Sequence, residues 1–147
     1  MIKILFVCSG NTCRSVMAEK ICNNYAKKHK LKVKAESAGI YANKGEKASA
    51  ETINALKNIK IRNIKHSSTQ FCLDNLFNYD YCIAVTQDIK NYIGKFNNVF
   101  CFQDFISEAT DIIDPYGKIQ QEYDKTCNQT QQYIIKLLKI IGDNQWK

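Results

Sequence analysis

The sequence is short of proline, arginine and histidine: Pro115 is the only proline, and two arginines (Arg14, Arg62) and two histidines stand among 147 residues. No Pro/Gly-rich linker, low-complexity tract or internal repeat divides it. One domain, 1–147, is therefore expected, at a length close to the roughly 150 residues of an average domain. Long apolar runs are missing too. The longest, such as Ile4–Cys8, are far too short to span a bilayer, so no membrane association is expected. The N-terminus lacks the charged, apolar and small-residue order of a secretory signal, which points to a cytoplasmic protein. Histidines, cysteines and carboxylates do not cluster at ligand spacing, so neither a metal nor another cofactor is expected.

Seven cysteines are present, odd in number and scattered. That pattern reads as free thiols in a reducing compartment rather than a disulfide framework. A chain of this length buries about 68–70% of its unfolded surface and needs no covalent staple. With 45% hydrophobic and 24% charged residues it has the balance of a globular domain, not of a disordered chain. The net charge of +7 is uneven: residues 1–71 carry fourteen Lys/Arg against four Asp/Glu, and 72–147 carry seven against ten. The densest lysines, Lys27, Lys28, Lys30, Lys32 and Lys34, fall at a helix end and on alternate strand positions, as a solvated face does. No aromatic residues interleave with them, so no nucleic-acid partner is expected, although a basic half attracts anionic substrates. Nineteen of the 21 basic residues are lysine. An arginine in such a chain marks a place where forked recognition of an oxyanion matters.

Along the chain, strand and helix patterns alternate. Ile2–Val7, apolar but for Lys3 and rich in β-branched residues, reads as a strand buried on both faces. From Ser15 the spacing of Met17, Ala18, Ile21, Cys22 and Tyr25 predicts a helix, which Ser15 can cap. Leu31, Val33 and Ala35 alternate with polar residues as a second strand. Ser49–Ile59, Thr69–Phe77, Gln87–Phe96 and Glu122–Ile141 read as helices, and Tyr81–Val85 and Val99–Phe102 as strands. The last helix places Cys127, Thr130, Ile134, Leu138 and Ile141 on one face. This order predicts an α/β fold: a three-layer open parallel sheet of about four strands, helices on both faces, and a site at the strands' carboxyl ends.

The segment between the first strand and first helix carries the chemistry. Cys8, Ser9, Gly10, Asn11, Thr12, Cys13, Arg14 and Ser15 form a loop running into a helix N-terminus, where inward N–H groups and the helix dipole make an oxyanion cradle. It lacks the Gly-x4-Gly-Lys spacing of a nucleotide-binding loop. Positive potential favours the thiolate of Cys8 over the thiol, and a thiolate facing a phosphoryl group is a nucleophile in line. Arg14 can grip two phosphoryl oxygens at once. Cys13 lies close enough in sequence to trap an oxidised Cys8 as a disulfide. Cys22, Cys72, Cys101 and Cys127 fit apolar faces as inert core thiols.

Val-Cys-Ser-Gly-Asn-Thr-Cys-Arg-Ser followed by Met17-Ala18-Glu19 resembles the signature of the low-molecular-weight protein tyrosine phosphatases. Ser37-Ala38-Gly39, His66 before Ser67-Ser68, and Asp114-Pro115-Tyr116 extend the resemblance over essentially the whole chain. It implies a phosphoprotein phosphatase acting on phosphorylated proteins as a monomer. Cys8 would form a phosphocysteine intermediate, Arg14 would bind the phosphoryl group, and Asp114 would serve as general acid and then base. Asn11, Ser15, Ser37 and His66 resemble the network that supports the loop and keeps the thiolate ionised. Val16 departs from the family's usual proline, with a consequence for stability rather than chemistry.

Thr12 and Tyr116 bear on which phosphorylated side chain is used. Tyrosine-directed members usually carry isoleucine where Thr12 stands. Thr12 instead resembles the bacterial protein arginine phosphatase branch, and its hydroxyl can accept a hydrogen bond that a guanidinium offers and a phenol ring does not. Gly117 and Tyr123-Asp124-Lys125-Thr126 also look like that branch, whereas Tyr116 resembles the tyrosine phosphatases. Phosphoarginine is the expected substrate, with phosphotyrosine as the alternative. Arsenate reduction would need relay cysteines after the third strand, and none occurs between Val85 and Cys101. A non-enzymatic phosphate-binding module would not need both Cys8 and Asp114.

Overall fold

The computed structural model describes residues 1–145. Four parallel strands, β1 (Ile2–Cys8), β2 (Val33–Gly39), β3 (Tyr81–Ala84) and β4 (Val99–Cys101), alternate with α1 (Arg14–Lys28), α2 (Ala50–Asn58), α3 (Gln87–Ile93) and α4 (Gln120–Gln145). The sheet order is β2-β1-β3-β4. The chain therefore leaves β1 in one direction to build β2 and returns to its other side to build β3. Right-handed crossovers in opposite directions put α1 and α3 on opposite faces. The carboxyl end of β1 then lies at the reversal point, where open α/β sheets form their crevice. Cys8 is the last residue of that strand.

Burial follows from this order. All residues of the central strand β1 are buried except half-buried Lys3. The edge strand β2 is buried toward its end and keeps Lys34 in solvent, which discourages further strand pairing. α4 packs on α1 and α2 and buries Cys127, Thr130, Ile134, Leu138 and Ile141, the face expected from their spacing. Burial pushes the Cys22, Cys82 and Cys127 thiols up to about 12.

Several expectations are corrected. β2 runs Val33–Gly39 rather than over Leu31–Ala35, because β1 offers a partner to each residue as far as the Cys8–Gly39 pair. The helix expected at Thr69–Phe77 shrinks to a 3-10 turn at Leu73–Asn78. Its first residues are extended instead: Gly39 N–H donates to the Thr69 carbonyl at 2.9 Å and Phe71 N–H to the Gly39 carbonyl at 2.8 Å. Tertiary pairing overrides local propensity there. α3 stops at Ile93, where Gly94 takes φ +108°, and the last strand turns into a 3-10 segment at Phe102–Asp104. Cys72 is exposed rather than a core thiol. Cys101 is buried, but its thiol lies 3.4 Å from both Gln87 Oε1 and Asp104 Oδ2.

Candidate active site

The Cys8–Arg14 loop is shaped from outside by donors that occupy its carbonyls. The Cys8 carbonyl accepts from Ile40 N–H at 3.0 Å and the Ser9 carbonyl from Tyr41 N–H at 2.9 Å. The Asn11 carbonyl accepts from His66 Nε2 at 2.7 Å and Ser68 Oγ at 2.9 Å, and the Thr12 carbonyl from Ser49 N–H at 3.1 Å. With these carbonyls tied outward, the loop presents N–H groups to its interior, as an anion-binding nest does. Asn11 adopts φ +58°, a conformation asparagine tolerates better than most residues, and its N–H reaches the Cys8 sulfur at 3.3 Å. Gly39 is required alongside. A Cβ there would collide with the Ser9 carbonyl oxygen and lie 2.9 Å from the Asn11 nitrogen.

The buried Asn11 side chain fixes the direction of a proton relay. Thr69 N–H can only donate, and it lies 2.9 Å from Asn11 Oδ1. The Asn11 amide is thereby oriented with Nδ2 donating to Ser15 Oγ at 2.8 Å. Ser15 then has its own proton free for the Cys8 sulfur, 2.8 Å away. The Cys8 sulfur thus receives two donors, both suited to an anion. Ser15 does not cap α1, as its position had implied; its hydroxyl belongs to Cys8.

Arg14 is almost wholly buried. Its guanidinium donates to the Ile112 carbonyl at 3.0 Å, and a second nitrogen lies 3.5 Å from Ser9 Oγ and 3.6 Å from Asp114 Oδ2. The Ile112 bond fixes the guanidinium plane and ties the helix start to the segment leading into Asp114. Asp114 is half exposed, its other oxygen accepting from Tyr116 N–H at 3.1 Å, while Pro115 is buried. Cys8, Thr12, Arg14 and Asp114 face one pocket of about 230 Å3, with Tyr41, Asn43, Glu46 and Tyr116 also lining it.

The other expected residues take different places. Ser9, Gly10 and Asn11 build the loop, and half-buried Thr12 stands in the pocket wall. Ser37 does not support the loop: its hydroxyl donates to Glu19 Oε1 at 2.6 Å. His66 holds the Asn11 carbonyl and makes no bond to Cys8. Cys13 is buried, with its sulfur 3.5 Å from Ser49 Oγ. Burial and this thiol push the nearby Tyr123 hydroxyl up to about 12. A separate cavity of about 280 Å3 between α1, β2 and the segment around His66 includes none of the Cys8–Arg14 residues. Ser68, Gly39, the Thr69 amide and the Ile112 carbonyl were not singled out as site residues from sequence. Three act through main-chain atoms or a missing Cβ, which carry no residue-type signal; Ser68 has only its position two residues after His66.

A strand ending on a buried cysteine, an N–H nest closed by arginine, and an aspartate opposite define a cysteine-based site for phosphoryl groups. The family model of the low molecular weight phosphotyrosine protein phosphatases matches residues 3–146, and the chain belongs to this family of protein phosphatases. It is 30% identical over 144 residues to a protein-arginine-phosphatase of Bacillus subtilis (strain 168), covering 92% of this chain and 94% of that one. It is 33% identical over 143 residues to the low molecular weight protein-tyrosine-phosphatase PtpB of Staphylococcus aureus, covering 95% and 99%. Among solved structures, the YwlE arginine phosphatase, as a cysteine-to-serine mutant with a phosphorylated active-site serine, superposes with a TM-score of 0.87 at 28% identity, covering 94% of each chain.

Proposed function

We propose that this chain removes phosphate from phosphoarginine side chains of proteins through a phosphocysteine intermediate. The observation that carries the chemistry is the relay from Thr69 N–H through Asn11 and Ser15, which delivers a hydrogen bond to the Cys8 sulfur. The thiolate attacks phosphorus as the bond to the leaving group breaks. Arg14 and the loop N–H groups hold the three equatorial oxygens, where charge gathers in the transition state. Asp114 gives its proton to the leaving nitrogen, then takes one from the water that cleaves the S–P bond. Phosphate leaves, and Cys8 returns as a thiolate. The serine phosphorylated in the YwlE mutant supports a covalent phosphoenzyme as the family's course.

Thr12 supports phosphoarginine over phosphotyrosine. Its half-buried place in the pocket wall puts a polar side chain beside the group that carries the phosphoryl. A guanidinium can use such an acceptor, whereas a phenol ring gains more from an aliphatic wall. Phosphotyrosine is the second reading, favoured by the exposed rings of Tyr41 and Tyr116 lining the same pocket. Phosphate release from matched phosphoarginine and phosphotyrosine peptides tests the choice, with Cys8→Ser as blank and Thr12→Ile alongside. A phosphoarginine preference that Thr12→Ile moves toward phosphotyrosine is expected. A phosphotyrosine preference in the unaltered enzyme would refute the substrate assignment.

A further inference from the structure

Besides Asp114, a second acidic residue, the exposed Glu46, stands at the Cys8 pocket. Main-chain bonds fix its place. Glu46 N–H donates to the Asn43 carbonyl at 3.1 Å, closing a four-residue turn whose third residue, Gly45, has φ +88°. A type II turn requires this region at that position. The Glu46 carbonyl accepts from Ser68 N–H at 2.8 Å and is 2.9 Å from Ser68 Oγ. The same Oγ lies 2.9 Å from the Asn11 carbonyl. A single residue therefore ties position 46 to the loop that cradles phosphate. Among the described residues the Glu46 carboxylate has no ion-pair partner, although Lys44 and Lys47 flank it in sequence.

We propose that Glu46 is a specificity-determining residue that binds the guanidinium of the reacting phosphoarginine, leaving Asp114 to carry the proton. This rests on the phosphoarginine reading above. Phosphoarginine brings a cation directly beside its phosphorus, into a pocket whose wall already holds the Arg14 guanidinium. A cation left uncompensated there is costly. Asp114 is not free to compensate it, because a general acid is protonated, and so neutral, when the P–N bond breaks. In that step the Cys8 sulfur bonds to phosphorus, the P–N electrons stay on nitrogen, and the Asp114 proton joins that nitrogen. The products are a phosphocysteine, a free arginine side chain and an Asp114 carboxylate. Glu46 takes no part in the proton transfer and faces a cation both before and after it. A phosphotyrosine presents a neutral ring at this place and gains nothing from the charge.

The test is Glu46→Gln, which preserves side-chain length and every main-chain bond of the turn. kcat/KM is measured on phosphoarginine and phosphotyrosine peptides of otherwise identical sequence, beside the melting temperature. The ratio of the two is expected to fall roughly two- to fivefold, mainly through KM for phosphoarginine, as for loss of an exposed ion pair. Glu46→Asp keeps the charge and is expected to restore most of the ratio, and Glu46→Lys to lower it further. An unchanged ratio in Glu46→Gln, or an equal fall in Glu46→Asp, overturns the role of Glu46 while phosphoarginine turnover stands. Absence of phosphoarginine turnover in the unaltered enzyme overturns the substrate reading itself, a result independent of the variants. Should Glu46→Gln fail to fold, the Glu46→Asp and Glu46→Lys pair decides by the same ratio.

Discussion

Replacing Asn11 with aspartate would reverse the proton relay while leaving its shape almost unchanged. The two side chains are nearly isosteric, and one carboxylate oxygen can still accept from Thr69 N–H, 2.9 Å from the present Oδ1. The other oxygen would stand where Nδ2 now donates to Ser15 Oγ at 2.8 Å. As an acceptor it draws the Ser15 proton to itself, and the Cys8 sulfur, 2.8 Å from that hydroxyl, loses a donor. A hydrogen bond to a charged group contributes about 1.5–3 kcal/mol, which corresponds to roughly 10- to 150-fold in rate. The added buried negative charge acts in the same direction. Asn11→Asp is therefore expected to lower kcat/KM on any phosphorylated substrate by about 100-fold, and to slow alkylation of Cys8 by iodoacetamide at neutral pH. Ser15→Ala is expected to cost a similar factor alone and little more in the Asn11→Asp background, since the hydroxyl there no longer serves the sulfur. If Asn11→Asp kept activity and alkylation within threefold of the unaltered enzyme, the assigned direction of the relay would be wrong.

Other expectations concern stability and redox behaviour. Gly39→Ala places a Cβ against the Ser9 and Asn11 backbone; a loss of about 1–3 kcal/mol is expected by denaturant titration, and unchanged stability would refute the close approach. The Cys22, Cys82 and Cys127 thiols, raised from 9.0 to about 12, favour the neutral form in the folded state. Their contribution is complete below the unfolded value and is lost as pH rises from about 9 through about 12. Melting temperature should fall across that window, less steeply in Cys127→Val; an equal slope would show that this thiol does not take part. Mild peroxide is expected to oxidise Cys8 to a sulfenic acid that Cys13 traps as a disulfide with release of water. Mass spectrometry finding only overoxidised Cys8 would refute this.

Much of the molecule was legible in one dimension. The β-branched, mostly apolar segment Ile2–Val7 read as a buried strand, the three- and four-residue spacing in α4 identified its buried side, and the strand–helix alternation gave a parallel sheet. Cys8, Arg14 and Asp114 stood out because their chemistry is specific to residue type and, for two of them, to spacing within one loop. The sequence did not announce the fate of Thr69–Phe77, whose local pattern favours a helix until Gly39 claims its backbone in the folded chain. Nor could it orient Ser15, whose position permits a helix cap or a bond to Cys8 with equal local cost.

Local covalent order therefore indicated most element types, the buried faces of β1 and α4, and which side chains are candidates for the chemistry. Tertiary structure decided which groups meet. Arg14 is held by a carbonyl 98 residues away, Asn11 by an amide 58 residues away, and Glu46 reaches the pocket through Ser68. These contacts use main-chain donors and acceptors that every residue carries, so no side-chain pattern encodes them. They exist only once the sheet order has brought the ends of distant segments to the carboxyl edge of β1.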